Sequence, residues 1–200
     1  MGHAVFDAVR ALLAGEEIDV DSPELSARSA WLSEPRPVQE QIPLTIGTAN
    51  SVLLRWAGAH ADVVGIAGFG RTLPDGHMHE VRWRAHELEQ QLGHVAAGAA
   101  GRTDSPPLEA LVQQVVVTHD ARAAIAATAS RLGLTEAELL AAPFVLAGTA
   151  DEIVSAVAEH ERRWGVTRYV IRETAIDAVA PLLPRTARNL RPSSAHRRWT

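Results

Sequence analysis

Ile42-Pro43-Leu44-Thr45-Ile46-Gly47-Thr48-Ala49-Asn50-Ser51 runs into Val52-Leu53-Leu54-Arg55-Trp56-Ala57-Gly58-Ala59-His60 and then Asp62-Val63-Val64-Gly65-Ile66-Ala67. The first five residues are short, apolar and β-branched, as a buried strand requires. Gly47 to Ser51 are small or polar and form a tight turn. Val52 to His60 carry apolar residues at helical period, and Asp62 to Ala67 again read as a buried strand. Strand, turn, helix and strand follow one another too closely for separate units. This is a βαβ unit, with two parallel strands joined by a crossover helix.

Working outward, residues 4–14 read as a helix, with Val5, Val9, Leu12 and Leu13 at helical spacing and Gly15 as its stop. Residues 16–41 are polar, carry Pro23, Pro35 and Pro37, and read as a long irregular connection. Residues 68–83 read as a second long loop, and 84–100 as a helix broken by the stretch from Gly101 to Pro107. Leu111 to Val117 read as a strand. Asp120 caps a helix over 121–132, Thr135 one over 136–142 with Glu138 at its third position, and Thr149 one over 150–164 ending at Gly165. Val166 to Ile171 read as the last strand and 174–183 as the last helix. The division expected is a domain over 1–184 and a tail over 185–200. That tail has arginines at 185, 188, 191, 197 and 198, no acid, and the composition of a disordered end.

Composition removes several chemistries. The chain has 200 residues, no cysteine, and 19 cationic residues that are all arginine. Disulfides, thiolate metal sites and a cysteine nucleophile are excluded. So are Schiff-base chemistry and the Walker A lysine. A net charge of −5 argues against a nucleic-acid-binding body. No apolar run reaches membrane-span length, and Met1 to Asp7 lack the basic start of a secretory signal. A cytoplasmic protein is the expectation.

Four strands, each followed by a helix, imply a parallel sheet with helical cover. Two architectures fit: a small open doubly wound sheet, or part of a (β/α) barrel. A full barrel has eight strands in about 250 residues. This chain opens on a helix and shows half that number, so it reads as the later half of a barrel.

The stretch from Ile42 to Gly65 resembles luciferase-like flavin or deazaflavin oxidoreductases, in which a strand ends in a glycine-rich turn and an alanine-rich helix follows. Phe144-Val145-Leu146-Ala147-Gly148-Thr149-Ala150-Asp151-Glu152-Ile153, running to Trp164-Gly165-Val166-Thr167-Arg168-Tyr169, is similar to that family's closing strand and helix. Gly70-Arg71-Thr72-Leu73-Pro74-Asp75-Gly76-His77 resembles the branch dependent on coenzyme F-420, and Leu12-Leu13-Ala14-Gly15-Glu16 the family's mid-chain helix. The resemblance covers about 4–183 and corresponds to the family's C-terminal half. It implies an α/β fold, a partial TIM (β/α) barrel. The activity implied is hydride transfer or oxygen activation, with coenzyme F-420 or alternatively FMN bound at the C-terminal strand ends, acting on a small-molecule substrate.

The cofactor-binding residues implied are Gly47, Thr48, Ala49, Asn50 and Ser51 at the turn, Gly65, Ile66, Ala67 and Gly68 at the next strand end, and Arg71. A turn of small residues lets backbone N–H groups approach a phosphate, and a helix N-terminus favours anions. The plain alternatives are an ordinary capped turn at Asn50 and a sharp bend at Gly65 and Gly68. Arg71 suits a phosphate or carboxylate, or simply solvent. Gly68-Phe69-Gly70 lacks the third glycine of a dinucleotide fingerprint. His77-Met78-His79-Glu80 lacks a second ligand cluster, so no metal site is expected. No catalytic acid or base is assigned, because barrel catalytic groups come from several strand ends and the earlier ones have no counterpart here. The chain alone is therefore expected to be weakly active or inactive. The alternative is a non-enzymatic half-barrel module, or a truncated gene product. Strands 42–46 and 167–171 would be unpaired edges, which predicts self-association.

Overall fold

The computed structural model describes residues 3–189 except 35, 36, 40, 75, 77 and 78. Helix α1 (His3–Leu13) leads to an antiparallel hairpin of β1 (Ile18–Asp21) and β2 (Ser26–Ala30). Strand β3 (Thr45–Gly47), helix α2 (Ser51–His60) and strand β4 (Val63–Ile66) form the βαβ unit read from the sequence, with β3 and β4 parallel. A second antiparallel hairpin, β5 (Phe69–Thr72) with β6 (His79–Val81), precedes α3 (Ala85–Ala99). Strands β7 (Leu108–Leu111) and β8 (Gln114–Val117), helices α4 (Ala121–Leu132) and α5 (Glu136–Ala141), strand β9 (Val145–Gly148), helix α6 (Ala150–Trp164) and strand β10 (Val166–Val170) follow. A 3-10 turn (Glu173–Ala175), α7 (Ile176–Val179), a second such turn (Ala180–Leu182) and α8 (Leu183–Asn189) end the described chain. No helix of the described residues is long and apolar enough to cross a membrane.

The main sheet is parallel, in the order β10-β7-β4-β3. Strand alternation sends Ile46, Val64, Ile66, Ala110 and Val166 to one face, where they join two buried clusters with Leu54, Ala57 and Val95 or with Leu88, Ile125 and Trp164. The same helix-covered face recurs along the sheet, as in a barrel wall; a doubly wound sheet would carry helices on both faces. The opposite face holds Thr45, Gly47, Gly65, Glu109, Leu111, Arg168 and Val170, which are exposed or half-buried, together with Val63, which is buried. Each buried Val or Ile on the helix side contributes about 1.5–3 kcal/mol by area, so sequence pattern and covered face agree.

Several sequence expectations change. The polar stretch 16–41 contains the β1–β2 hairpin, and the loop 68–83 contains β5 and β6. Pattern alone placed no strand between the helices over 136–142 and 150–164; β9 lies there, where the family resemblance had put one. The single strand read at 111–117 starts earlier and is broken at Val112 and Gln113 into β7 and β8. The last helix, read over 174–183, is a succession of short turns, interrupted where Pro181 denies a backbone donor. Helix α8 runs past the boundary expected at 184, and Arg185 pairs with Asp151. The rest of the basic tail, 190–200, lies outside the described residues, as do His77 and Met78 of the histidine cluster.

Below the sheet, α1 is held by a stacked pair, Phe6 on Trp56 with centroids 4.7 Å apart. Arg10 Nη2 donates to the His60 carbonyl at 2.7 Å and to Asp62 Oδ2 at 3.2 Å. The same Asp62 oxygen accepts from Leu44 N at 2.7 Å. One carboxylate thus ties α1 to the starts of β3 and β4.

Candidate functional site

The carboxyl ends of β3 and β4 meet at two glycines. Gly47 and Gly65 are register partners, and a Cβ built on Gly65 would stand 3.3 Å from the Gly47 Cα. Nothing nearer than 3.9 Å faces Gly47. The row continues across the sheet: Gly65 is paired with Glu109, and Glu109 with Arg168. Arg168 Nε donates to Glu109 Oε2 at 3.3 Å. The helix-free face therefore carries bare backbone on one side and an ion pair on the other.

Thr48 to Ser51 form the turn into α2. The Asn50 side chain accepts from Val52 N at 3.0 Å and Leu53 N at 3.1 Å, and Thr48 Oγ1 accepts from Asn50 N at 3.1 Å. These are the amides that a phosphate would use at a helix start. The turn is thus satisfied by its own side chains, the plain N-cap arrangement. Ser51 is exposed, and no described contact occupies its amide or hydroxyl.

The remaining residues implied by the resemblance lie elsewhere. Ile66 is 1% exposed and points into the helix-side core. The Ala67 carbonyl accepts from Trp83 Nε1 at 3.2 Å. Gly68 has φ +62, and the space where its Cβ would stand is taken by the Trp83 ring and by Phe144. Its missing side chain serves that aromatic contact, with centroids 5.3 Å apart. Arg71 sits in the β5–β6 hairpin and pairs with Glu80 at 3.2 Å, while His79 contacts Thr72 Oγ1 at 3.3 Å. Gly47, Gly65 and the α2 turn come together; Ile66, Gly68 and Arg71 are each directed to other partners.

Sequence reading missed four polar residues. Glu109 is a charge within an apolar strand, at the alternate position from Ala110, and that parity was the available signal. Gln113 and Gln114 were absorbed into one continuous strand. His160 follows Ile153 and Val157 at helical spacing and belongs to the buried stripe of α6. Its Nδ1 lies 3.0 Å from the Tyr169 hydroxyl. Burial lowers the His160 pKa to about 4 and raises that of Tyr169. Both rings stay neutral at pH 7 and tie α6 to β10.

No protein-family profile matches the sequence, and no curated protein does. Solved structures do match in shape. The F420-dependent tetrahydromethanopterin reductase from Methanopyrus kandleri is 16% identical, with a TM-score of 0.63 over 91% of this chain and 62% of its own. An F420-dependent secondary alcohol dehydrogenase, solved with an F420–acetone adduct, is 12% identical, with a TM-score of 0.60 over 90% of this chain and 59% of its own. The monooxygenase RslO1 from Streptomyces bottropensis is 16% identical, with a TM-score of 0.58 over 95% of this chain and 60% of its own. The chain spans about three-fifths of the length of these proteins. With a parallel sheet covered by helices on one face, and this shared shape, the chain has the fold of a partial (β/α) barrel, like part of the barrel of these enzymes.

Proposed function

We propose that the chain is a luciferase-like oxidoreductase of the flavin or deazaflavin type, cytoplasmic, acting on a small molecule through coenzyme F-420 or alternatively FMN. The observation that carries this reading is the Gly47–Gly65 pair at the carboxyl ends of β3 and β4, in a fold shared with F420-dependent enzymes. Two adjacent residues without side chains leave backbone exposed, against which a planar ring can lie. The fit is good at Gly47, Gly65 and Ser51. It is poor at Val52 and Leu53, whose amides are already engaged by Asn50. A bound flavin-type ring would supply the hydride chemistry. The protein would hold the ring against the two glycines and offer the Ser51 amide and hydroxyl to its polar arm. No catalytic acid or base is assigned, and turnover by this chain alone is expected to be low or nil.

The test is a fluorescence titration of the purified chain with coenzyme F-420 and, separately, with FMN. Saturable binding that is lost in Gly65→Leu is the expected result. Binding of neither, by a chain shown to be folded, overturns the reading.

A second reading is favoured by the sheet order. Strands β3 and β10 are the two edges of the main sheet, each paired on one side within it. Open edges invite pairing with another chain. On this reading the chain is an assembly module that associates through those strands. Light scattering across a concentration series tests it; a monomer at all concentrations counts against it.

A further inference from the structure

The segment 108–117 changes partners halfway. Its first part, β7, lies between β4 and β10, and its second part, β8, pairs with β9. The exchange occurs between adjacent residues: Val112 N donates to the Val170 carbonyl at 2.9 Å and Gln113 N to the Phe144 carbonyl at 2.8 Å. Strand β10 ends at Val170 as β8 turns toward β9, and the fork opens a cleft of about 230 Å³. Gln113, Gln114, Arg172, Thr174, Ala175 and Ala178 line it. In parallel α/β structures ligands collect beyond the carboxyl ends of strands, where neighbouring strands part.

The hydrogen bonds inside the cleft are unbalanced. Gln113 Oε1 accepts from Arg172 Nη2 at 2.7 Å, and Gln113 Nε2 donates to the Leu111 carbonyl at 3.2 Å. Gln114 Oε1 accepts from Thr128 Oγ1 at 3.1 Å. Both amide oxygens are therefore engaged within the protein. The donors left over are the Gln114 amide nitrogen, the Thr174 hydroxyl and the rest of the Arg172 guanidinium. No described carboxylate forms an ion pair with Arg172; the nearby acids Glu173 and Asp177 are exposed and do not line the cleft. A positive fork beside spare donors, with its acceptors already used, matches an oxyanion in charge and geometry. The volume is below that of a drug-sized pocket, which limits the ligand to one small group.

We propose that this cleft binds a small oxyanion, a carboxylate or phosphate group, held by Arg172 and Gln114. The site stands apart from Gly47 and Gly65 and does not depend on the cofactor reading.

The test is a titration of the chain with inorganic phosphate and, separately, with oxalate, each against sodium chloride of matched ionic strength. Thermal melting and the side-chain amide resonance of Gln114 are the readouts. Saturable stabilisation by at least one anion, with movement of that resonance, is expected. Arg172→Gln should weaken binding about tenfold, the equivalent of one charge-assisted hydrogen bond. Arg172→Lys, which keeps charge without the fork, should fall between. Preference between the two anions identifies which group the cleft takes. Overturning results are an anion effect no greater than that of chloride, or Arg172→Gln binding as tightly as the original chain. Arg172 is exposed, so neither substitution should unfold the chain, and unchanged helical circular dichroism checks this for both variants.

Discussion

Gly98 of α3 rests directly on the Arg55 carbonyl of α2; a Cβ at Gly98 would overlap that oxygen. Gly58 of α2 returns the contact against the Val95 carbonyl of α3. The two helices that back β3 and β4 thus touch through backbone, which larger residues would prevent.

Alanine at Gly98 should therefore destabilise the protein, by about 1–3 kcal/mol for forced overpacking. Helix propensity alone favours the opposite sign, by up to about 1 kcal/mol. Gly93, in the same helix, faces open space: a Cβ there would meet nothing within 4 Å. Gly93→Ala should stabilise where Gly98→Ala destabilises. Urea unfolding of both variants checks the contrast.

His160 makes stability depend on acid. Its ordinary pKa of 6.5 falls to about 4 in the folded protein because burial disfavours the charged ring. The unfolded chain then binds the extra proton between those values, so stability is whole above pH 6.5 and declines as pH falls toward 4. The linked loss amounts to about 3 kcal/mol. Denaturation midpoints measured across that window should fall with acid. In His160→Gln the slope should flatten, whatever the absolute stability.

Asn50 is a cap before it is anything else. Asn50→Ala should cost about 1 kcal/mol, and Asn50→Gly only a few tenths. Chemical denaturation reads both. A negligible loss in Asn50→Ala would show that the side chain's bonds to Val52 and Leu53 are not what stabilises the start of α2.

Gly68→Ala should be among the more damaging small changes. It places a methyl group where the Trp83 ring and Phe144 already sit, at a positive φ. A loss of about 2 kcal/mol follows from strain and overpacking together. A shift in tryptophan emission should accompany it, since the Trp83 indole would lose its bond to the Ala67 carbonyl.

Much of the architecture was legible because the patterns were local. The run from Ile42 to Ala67 announced its βαβ unit, and the caps at Asp120, Thr135 and Thr149 marked helix starts that the structure reproduces. What escaped was decided at long range. Nothing within Leu111 to Val117 says that the strand changes neighbours at Val112, because the change depends on Val170 and Phe144. The candidate residues divided in the same way. Gly47 and Gly65 could be placed from strand ends alone. The fate of Gly68 depended on Trp83, across a hairpin, and that of Arg71 on a hairpin partner, Glu80.

The position of β10 also has a consequence for synthesis. Strand β7 meets β4, made earlier, on one side and β10, made later, on the other. A growing chain can pair β3, β4 and β7 as they emerge, but the other side of β7 stays open until Val170 has left the ribosome. That interval exposes a strand edge beside apolar residues, and non-local pairing is slow. A nascent-chain chaperone that covers β7 during it would raise the yield of folded protein more than one that acts after release.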